Sequence, residues 1–149
     1  MDGPTLLQEF RTKFRVAELL VYSNSSWSWS VRPTQPTLGA GVISLNRYAL
    51  HLSEATPKEM KELGDVVKLA ERVLTSTFQV NIMNYLMLMM VDRQVHFHAI
   101  PRFDGTRIFE GLEWTDNRWP GPPALSETQH SDKEAVLASL RDELRASVG

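Results

Sequence analysis

From Gln94 to Ala99 polar and apolar residues alternate without a break, as Gln-Val-His-Phe-His-Ala, and Ile100-Pro101-Arg102 follow directly. A period of two belongs to a β-strand. Residues i and i+2 of a strand share a face, about 6.6 Å apart along the chain. Gln94, His96 and His98 therefore line one face, and Val95, Phe97 and Ala99 pack on the other. Such a strand cannot stand alone, because its backbone donors and acceptors need ladder partners. The chain must fold around a sheet that holds two imidazoles side by side.

The partners are legible upstream. Glu18-Leu19-Leu20-Val21-Tyr22 reads as a strand, Ser23-Asn24-Ser25-Ser26 as a polar turn, and Trp27-Ser28-Trp29-Ser30-Val31 as its alternating return, with both tryptophans beside Val31 on one face. This is a hairpin pattern. Arg32 to Gly39 holds two prolines and a glycine and reads as a loop. Gly41-Val42-Ile43-Ser44-Leu45 reads as a third strand. The apolar run Asn81 to Val91 reads as a buried strand, with Asp92-Arg93 as a tight turn into the histidine strand. On that reading its methionines are adaptable core fillers rather than soft-metal ligands.

Three helices complete the pattern. Residues 4–15 place Leu6, Leu7, Phe10 and Phe14 at helical spacing. Thr56-Pro57-Lys58-Glu59 is a capping box with proline at the first helical position. It opens a helix to about Thr77 whose stripe is Met60, Leu63, Val67, Ala70, Leu74 and Phe78. A second box, Ser131-Asp132-Lys133-Glu134, opens a last helix to about Ala146. The expected class is α+β: an antiparallel sheet of about five strands, a central helix and a C-terminal helix, with helices mainly on one side. The 149 residues fit one domain, 1–149, with a core at about 16–103 and an irregular segment plus helix over 104–149.

Composition removes several function classes. There is no cysteine, so disulfides, thiolate catalysis and cysteine-ligated zinc are excluded. A net charge of −2 gives no global field for a nucleic acid polymer. The N-terminal stretch has no basic segment followed by a long apolar run, so no membrane association is expected, and cytoplasmic residence is the expectation. Imidazole titrates near neutrality and can serve as nucleophile, acid, base or metal ligand. The His96/His98 pair is thus open to nucleophilic or acid–base chemistry, to a metal site, or to a solvated strand face. A metal site needs a third ligand, and neither His51 nor His130 stands at ligand-like spacing, although Asp92 and Asp104 flank the strand. Arg93 and Arg102 bracket the strand with guanidinium groups suited to phosphate.

His96-Phe97-His98-Ala99-Ile100-Pro101-Arg102 resembles the end of the histidine triad (HIT) motif, in the bacterial-type form with Gln, here Gln94, at the first triad position. Arg32-Pro33 leading to Leu38-Gly39, and a central helix over the Leu52 to Phe78 region, agree in order and spacing, so the resemblance covers about Val16 to Arg102. It implies a HIT-like fold that forms homodimers. It also implies a nucleotide hydrolase or nucleotidyl transferase acting at the α-phosphate of a nucleotide or dinucleoside polyphosphate. His96 would be the nucleophile, His98 the holder of phosphate oxygens or leaving group, and Gln94 a non-titrating first member. No cofactor is implied. The Gly-rich phosphate turn of many members is replaced by Met89-Met90-Val91-Asp92. The resemblance then leaves Asn84, Arg93 and Arg102 as substrate-binding candidates, with Arg32 where the family commonly has an asparagine. Two alternatives remain: a non-catalytic nucleotide-binding module of the same fold, and a metal-dependent enzyme using both histidines as ligands.

Overall fold

A computed structural model describes residues 2–149. In chain order the elements are α1 (Gly3–Lys13), β1 (Leu20–Ser23), β2 (Trp27–Val31), β3 (Gly41–Leu45), a 3-10 turn (Leu52–Glu54), α2 (Pro57–Phe78), β4 (Ile82–Leu86), β5 (His96–Arg102), β6 (Arg107–Phe109), β7 (Leu112–Trp114) and α3 (Glu134–Val148). The first five strands form one sheet in the order β1-β2-β3-β5-β4, antiparallel throughout, and β6 and β7 form a separate hairpin. The α+β class, with its five-stranded antiparallel sheet, central helix and C-terminal helix, is as the sequence indicated. β3 and β4 are each antiparallel to β5, so they run parallel to each other, and α2 makes the crossover between them. Among the described residues no helix is long and apolar enough to cross a membrane.

α2 starts where its capping box places it. Thr56 Oγ1 accepts from the Glu59 amide at 3.1 Å, and the Glu59 carboxylate accepts from the Thr56 amide at 2.8 Å. Glu59 also takes a two-pronged ion pair from Arg47 (2.7 and 2.9 Å), which holds its carboxyl down at about 2. Its carbonyl accepts from the indole of Trp27 at 2.7 Å, so the helix start is fastened to the sheet. The buried face of α2 is Val66, Ala70, Val73, Leu74 and Phe78. This corrects the expected stripe at one end: Met60 is exposed, while Leu63 and Val67 are partly buried against the core. α2 and α3 cover the sheet face that carries Trp27, Trp29, Ile43 and Leu45, in one core running from Leu19 to Leu144.

The opposite face is not bare. α1 lies there, its Phe10 and the Phe14 that caps its C-terminus forming a second buried cluster with Val16 and Val42. Helices therefore flank both faces.

Three local expectations are corrected. The apolar run is strand only over Ile82–Leu86; β4 is a sheet edge with no fully buried residue, and Met87 to Val95 form a loop rather than a tight turn. Within it Met87 and Met89 pack against the core, but Met90 is 81% exposed, so it is no core filler. β5 begins at His96, leaving Gln94 outside the strand that was to orient it. The second capping box does not form: α3 starts at Glu134 with Lys133 as an unassisted cap, and the Ser131 hydroxyl instead pairs with Thr128.

Candidate functional site

β5 is an interior strand, held by β3 on one side and β4 on the other. Its ladder sets His96 opposite Ser44 and His98 opposite both Val42 and Leu86. Both histidines point to the α1 side. The His96 ring lies against Phe10 and Phe14 (centroids 4.9 and 5.7 Å), and the His98 ring is 5.9 Å from Phe14. The two imidazoles meet edge to face at 4.9 Å. Aromatic packing of this kind fixes ring orientation and displaces water.

Each imidazole has one nitrogen engaged, and the partners are of opposite kind. His96 Nδ1 stands 2.5 Å from the Gln94 carbonyl oxygen, which can only accept, so Nδ1 carries the proton and Nε2 a lone pair. His98 Nδ1 receives the Nε–H of Arg32 at 3.1 Å; a guanidinium can only donate, so His98 carries its proton on Nε2. Burial is the main force pushing both pKa values down. Arg32 adds to this, as does His96 in the case of His98, which falls to about 4. Both rings are therefore neutral near pH 7: one offers a lone pair, the other an N–H.

Arg32 supplies the charge. It is 8% exposed, and its Nη1 donates to the Leu125 carbonyl at 2.9 Å and to Thr34. No carboxylate pairs with it among the described residues, and burial lowers its pKa. Arg32 and the two histidines line a cavity of about 500 Å3, whose walls also include Lys13 of α1 and its cap Phe14, Thr34, Leu88 to Asp92, and Leu125 and Ser126. A buried cation without an anion on a cavity wall favours an anionic ligand. Lys13 does not add to that charge freely, because its ammonium is paired with Asp92 (2.8 and 2.9 Å).

The other expected residues are elsewhere. The Gln94 carboxamide accepts from the Ala49 amide (3.2 Å) and donates to the carbonyls of Leu45 (3.1 Å) and Arg47 (2.6 Å), which ties down the segment after β3. It takes no part in the histidine cavity. Arg102 is bound by Asp116 (2.7 and 3.1 Å), by Asn84 Oδ1 (2.7 Å) and by the Gly121 carbonyl (2.7 Å). In this cluster burial raises the Asp116 carboxyl, but Arg102 and the Phe103 amide outweigh it and leave it lowered. Arg102 and Asn84 thus brace the C-terminal segment against the sheet. Arg93 is exposed and borders a neighbouring cavity with Tyr48 and Leu50. Of the seven residues expected at the site, His96, His98 and Arg32 come together.

The sequence reading missed Lys13, Phe14, Thr34, Leu125 and Ser126. The spacing of Phe10 and Phe14 announced a buried helix face, but nothing in it named the histidines as the surface beneath. Among the described residues, no group of three or more His, Asp or Glu is arranged to hold a metal ion.

No family model matches this chain, and no curated protein does. Solved structures do. A hypothetical histidine triad nucleotide-binding protein from Sulfolobus tokodaii superposes with a TM-score of 0.69 at 17% identity, covering 97% of this chain and 91% of that one. A histidine triad protein from Marinobacter aquaeolei gives 0.70 at 17% identity, covering 90% and 92%. A uridylyltransferase structure gives 0.56 at 16% identity, covering 97% of this chain and 49% of its own. The fold is that of histidine triad proteins across most of the chain.

Proposed function

We propose that this protein is a nucleotide hydrolase or nucleotidyl transferase that works through a nucleotidyl group carried on His96. The observation that carries the reading is the pair of opposed tautomers. The Gln94 carbonyl holds the proton on the far nitrogen of His96 and leaves Nε2 nucleophilic. Arg32 does the reverse for His98, leaving an N–H to donate. The names of the superposed structures, a nucleotide-binding protein and a uridylyltransferase, support the same substrate class.

In the first step the His96 Nε2 lone pair attacks the α-phosphorus, and the bond from phosphorus to the leaving atom breaks with its electron pair on that atom. His98 Nε2–H hydrogen-bonds the phosphoryl oxygen or leaving atom, and a basic leaving group takes its proton from water. Arg32 faces the phosphoryl charge as it grows. In the second step water or another acceptor attacks phosphorus, the P–Nε2 bond breaks, and its pair returns to His96 while the acceptor's proton passes to solvent. One difficult displacement becomes two easier ones. Gln94 contributes through its backbone carbonyl, and Asn84, Arg93 and Arg102 have no part in the proposed chemistry. A homodimer belongs to this reading, with β4 as an open sheet edge available for a contact; sizing at two concentrations tests it.

The test is turnover of a fluorogenic nucleoside phosphoramidate or a dinucleoside polyphosphate. Wild-type protein is expected to cleave one of them, His96→Ala to be inactive, and a trapped nucleotidyl adduct to map to His96. Binding across a broad nucleotide panel without any turnover sinks the enzymatic claim and selects the non-catalytic module, which the 2% exposure of His96 favours.

A further inference from the structure

His96 is 2% exposed and His98 7%, because Phe10 and Phe14 lie against the first ring and Phe14 against the second. The neighbouring cavity meets His96 only as part of its wall. In-line attack needs phosphorus within bonding reach of Nε2 and a leaving atom beyond it. A ring so enclosed has no room for either while both phenyl rings stay in place.

What holds α1 over the site is slight. Phe10 is its one buried residue. Gly3 lies flat against the Tyr48 ring, and the partly exposed Lys13–Asp92 pair is the helix's one polar tie to the body of the fold among the described residues. A cavity of about 520 Å3 separates Leu6 and Glu9 from Leu50 and Val91, so α1 has open space on two sides. The chain leaves the helix through Arg15, whose φ of +52° is left-handed. The Arg15 guanidinium is pinned to Glu18 (2.8 and 2.7 Å) and to Glu134 of α3. The fold is therefore anchored from Arg15 onward and loosely held before it. Segments with few buried apolar contacts open far more readily than the whole domain unfolds.

The sheet beneath carries an independent sign. Ser44 stands opposite His96 in the ladder and Ser30 opposite Val42, so both hydroxyls belong to the face that α1 covers. Both residues are fully buried, and neither hydroxyl has a hydrogen-bond partner among the described residues. Unpaired hydroxyls under an apolar cover are costly, and lifting the cover lets water pair them.

We infer that α1 is an autoinhibitory cover. It swings about Arg15 between a closed position, in which Phe10 and Phe14 seal the histidines, and an open one that admits substrate. The inference rests on the proposed role of His96 and adds the control of access to it.

The experiment exploits the absence of cysteine from the chain. Lys13→Cys/Asp92→Cys protein is bridged by a short bis-maleimide in one sample and capped on both thiols with N-ethylmaleimide in the other. The two samples carry the same charges and differ in the tether alone. Diethyl pyrocarbonate, which acylates an imidazole nitrogen bearing a lone pair, is added, and each histidine's rate is read by peptide fragmentation. The bridge is expected to slow His96 at least about tenfold. It should leave unchanged the exposed His51 and His130, which packs on Trp114 of the main core. Equal His96 rates in the two samples overturn the inference, and so does a His96 rate that changes only in step with that of His130, which marks unfolding of the whole domain. The bridged protein is also expected to lose the turnover of a nucleoside phosphoramidate that the capped protein keeps; equal turnover overturns the inference. If neither sample turns over any nucleotide, the nucleotidyl reading fails on its own account, and the acylation rates still decide the cover.

Discussion

Replacing Arg32 with methionine separates the role of its charge from the role of its bulk. Arg32 is nearly buried, has no carboxylate partner among the described residues, and gives its Nε–H to His98 Nδ1. A hydrogen bond to a charged group contributes about 1.5–3 kcal/mol, equivalent to about 10- to 150-fold in a rate ratio. Arg32→Met should therefore lower kcat/KM by about that factor, since His98 loses the partner that fixes its tautomer and the cavity loses its cation. Stability should respond differently. The lost bonds to Leu125 and Thr34 are each worth about 1 kcal/mol, but removing a desolvated, unpaired cation offsets them. Urea unfolding should then shift by no more than about 1 kcal/mol. Burial and Arg32 together hold His98 down at about 4, so without Arg32 its midpoint rises while burial still keeps it below the ordinary histidine value. Ring-nitrogen NMR across pH reads the tautomer and the midpoint together. An unchanged kcat/KM with His98 still titrating near 4 would refute the argument, and so would an activity loss that merely tracks unfolding.

Two further outcomes follow from the same geometry. Because the folded pKa of His98 lies near 4 and its unfolded value near 6.5, the unfolded chain binds the extra proton between them; stability is complete above about pH 6.5 and falls as pH drops toward 4, by about 3 kcal/mol from this residue, and urea midpoints that stay flat over that window contradict the assignment. Gln94→Ala removes three hydrogen bonds to backbone and orphans the buried Ala49 amide, so stability should fall by about 3 kcal/mol at unchanged m-value; unaltered stability with lost turnover would make Gln94 a participant in the chemistry instead.

The histidine strand was legible because two polar residues inside an alternating run are a local signal, and the ladder of β5 honours it. The capping box of α2 was legible for the same reason. What failed was long-range. Gln94 shares the alternation, yet β5 starts two residues later, and the side chain turns to the Ala49 amide and the Leu45 and Arg47 carbonyls at and after the end of β3. Arg102 closes the histidine strand with a guanidinium suited to phosphate, but Asp116 takes it from an irregular segment fourteen residues on, where no periodicity announces a partner. The β6–β7 hairpin was hidden by Glu110, which occupies a left-handed turn position more usual for Asn or Asp before Gly111. The Leu88–Val91 stretch was misread because a run of methionines reads as core whether or not a second sheet neighbour exists to cover it. β4 has only β5.

The burial that makes His96 hard to reach is also what makes it useful. An imidazole in water near pH 7 is partly protonated, and the protonated form has no lone pair. Phe10 and Phe14 desolvate His96, and Arg32 repels a proton from both rings, so the neutral forms dominate without any carboxylate to orient them. A histidine in place of Gln94 would add a third imidazole with a proton of its own to place; a carboxamide adds none. The Gln94 side chain is free to hold backbone because its carbonyl, one bond away along the main chain, already fixes the His96 tautomer. Any residue offers that carbonyl provided the loop before β5 stays in place, and the Gln94 carboxamide keeps it there. On the proposed reading Gln94 thus acts through the loop it secures, and the chemistry falls to His96, His98 and Arg32.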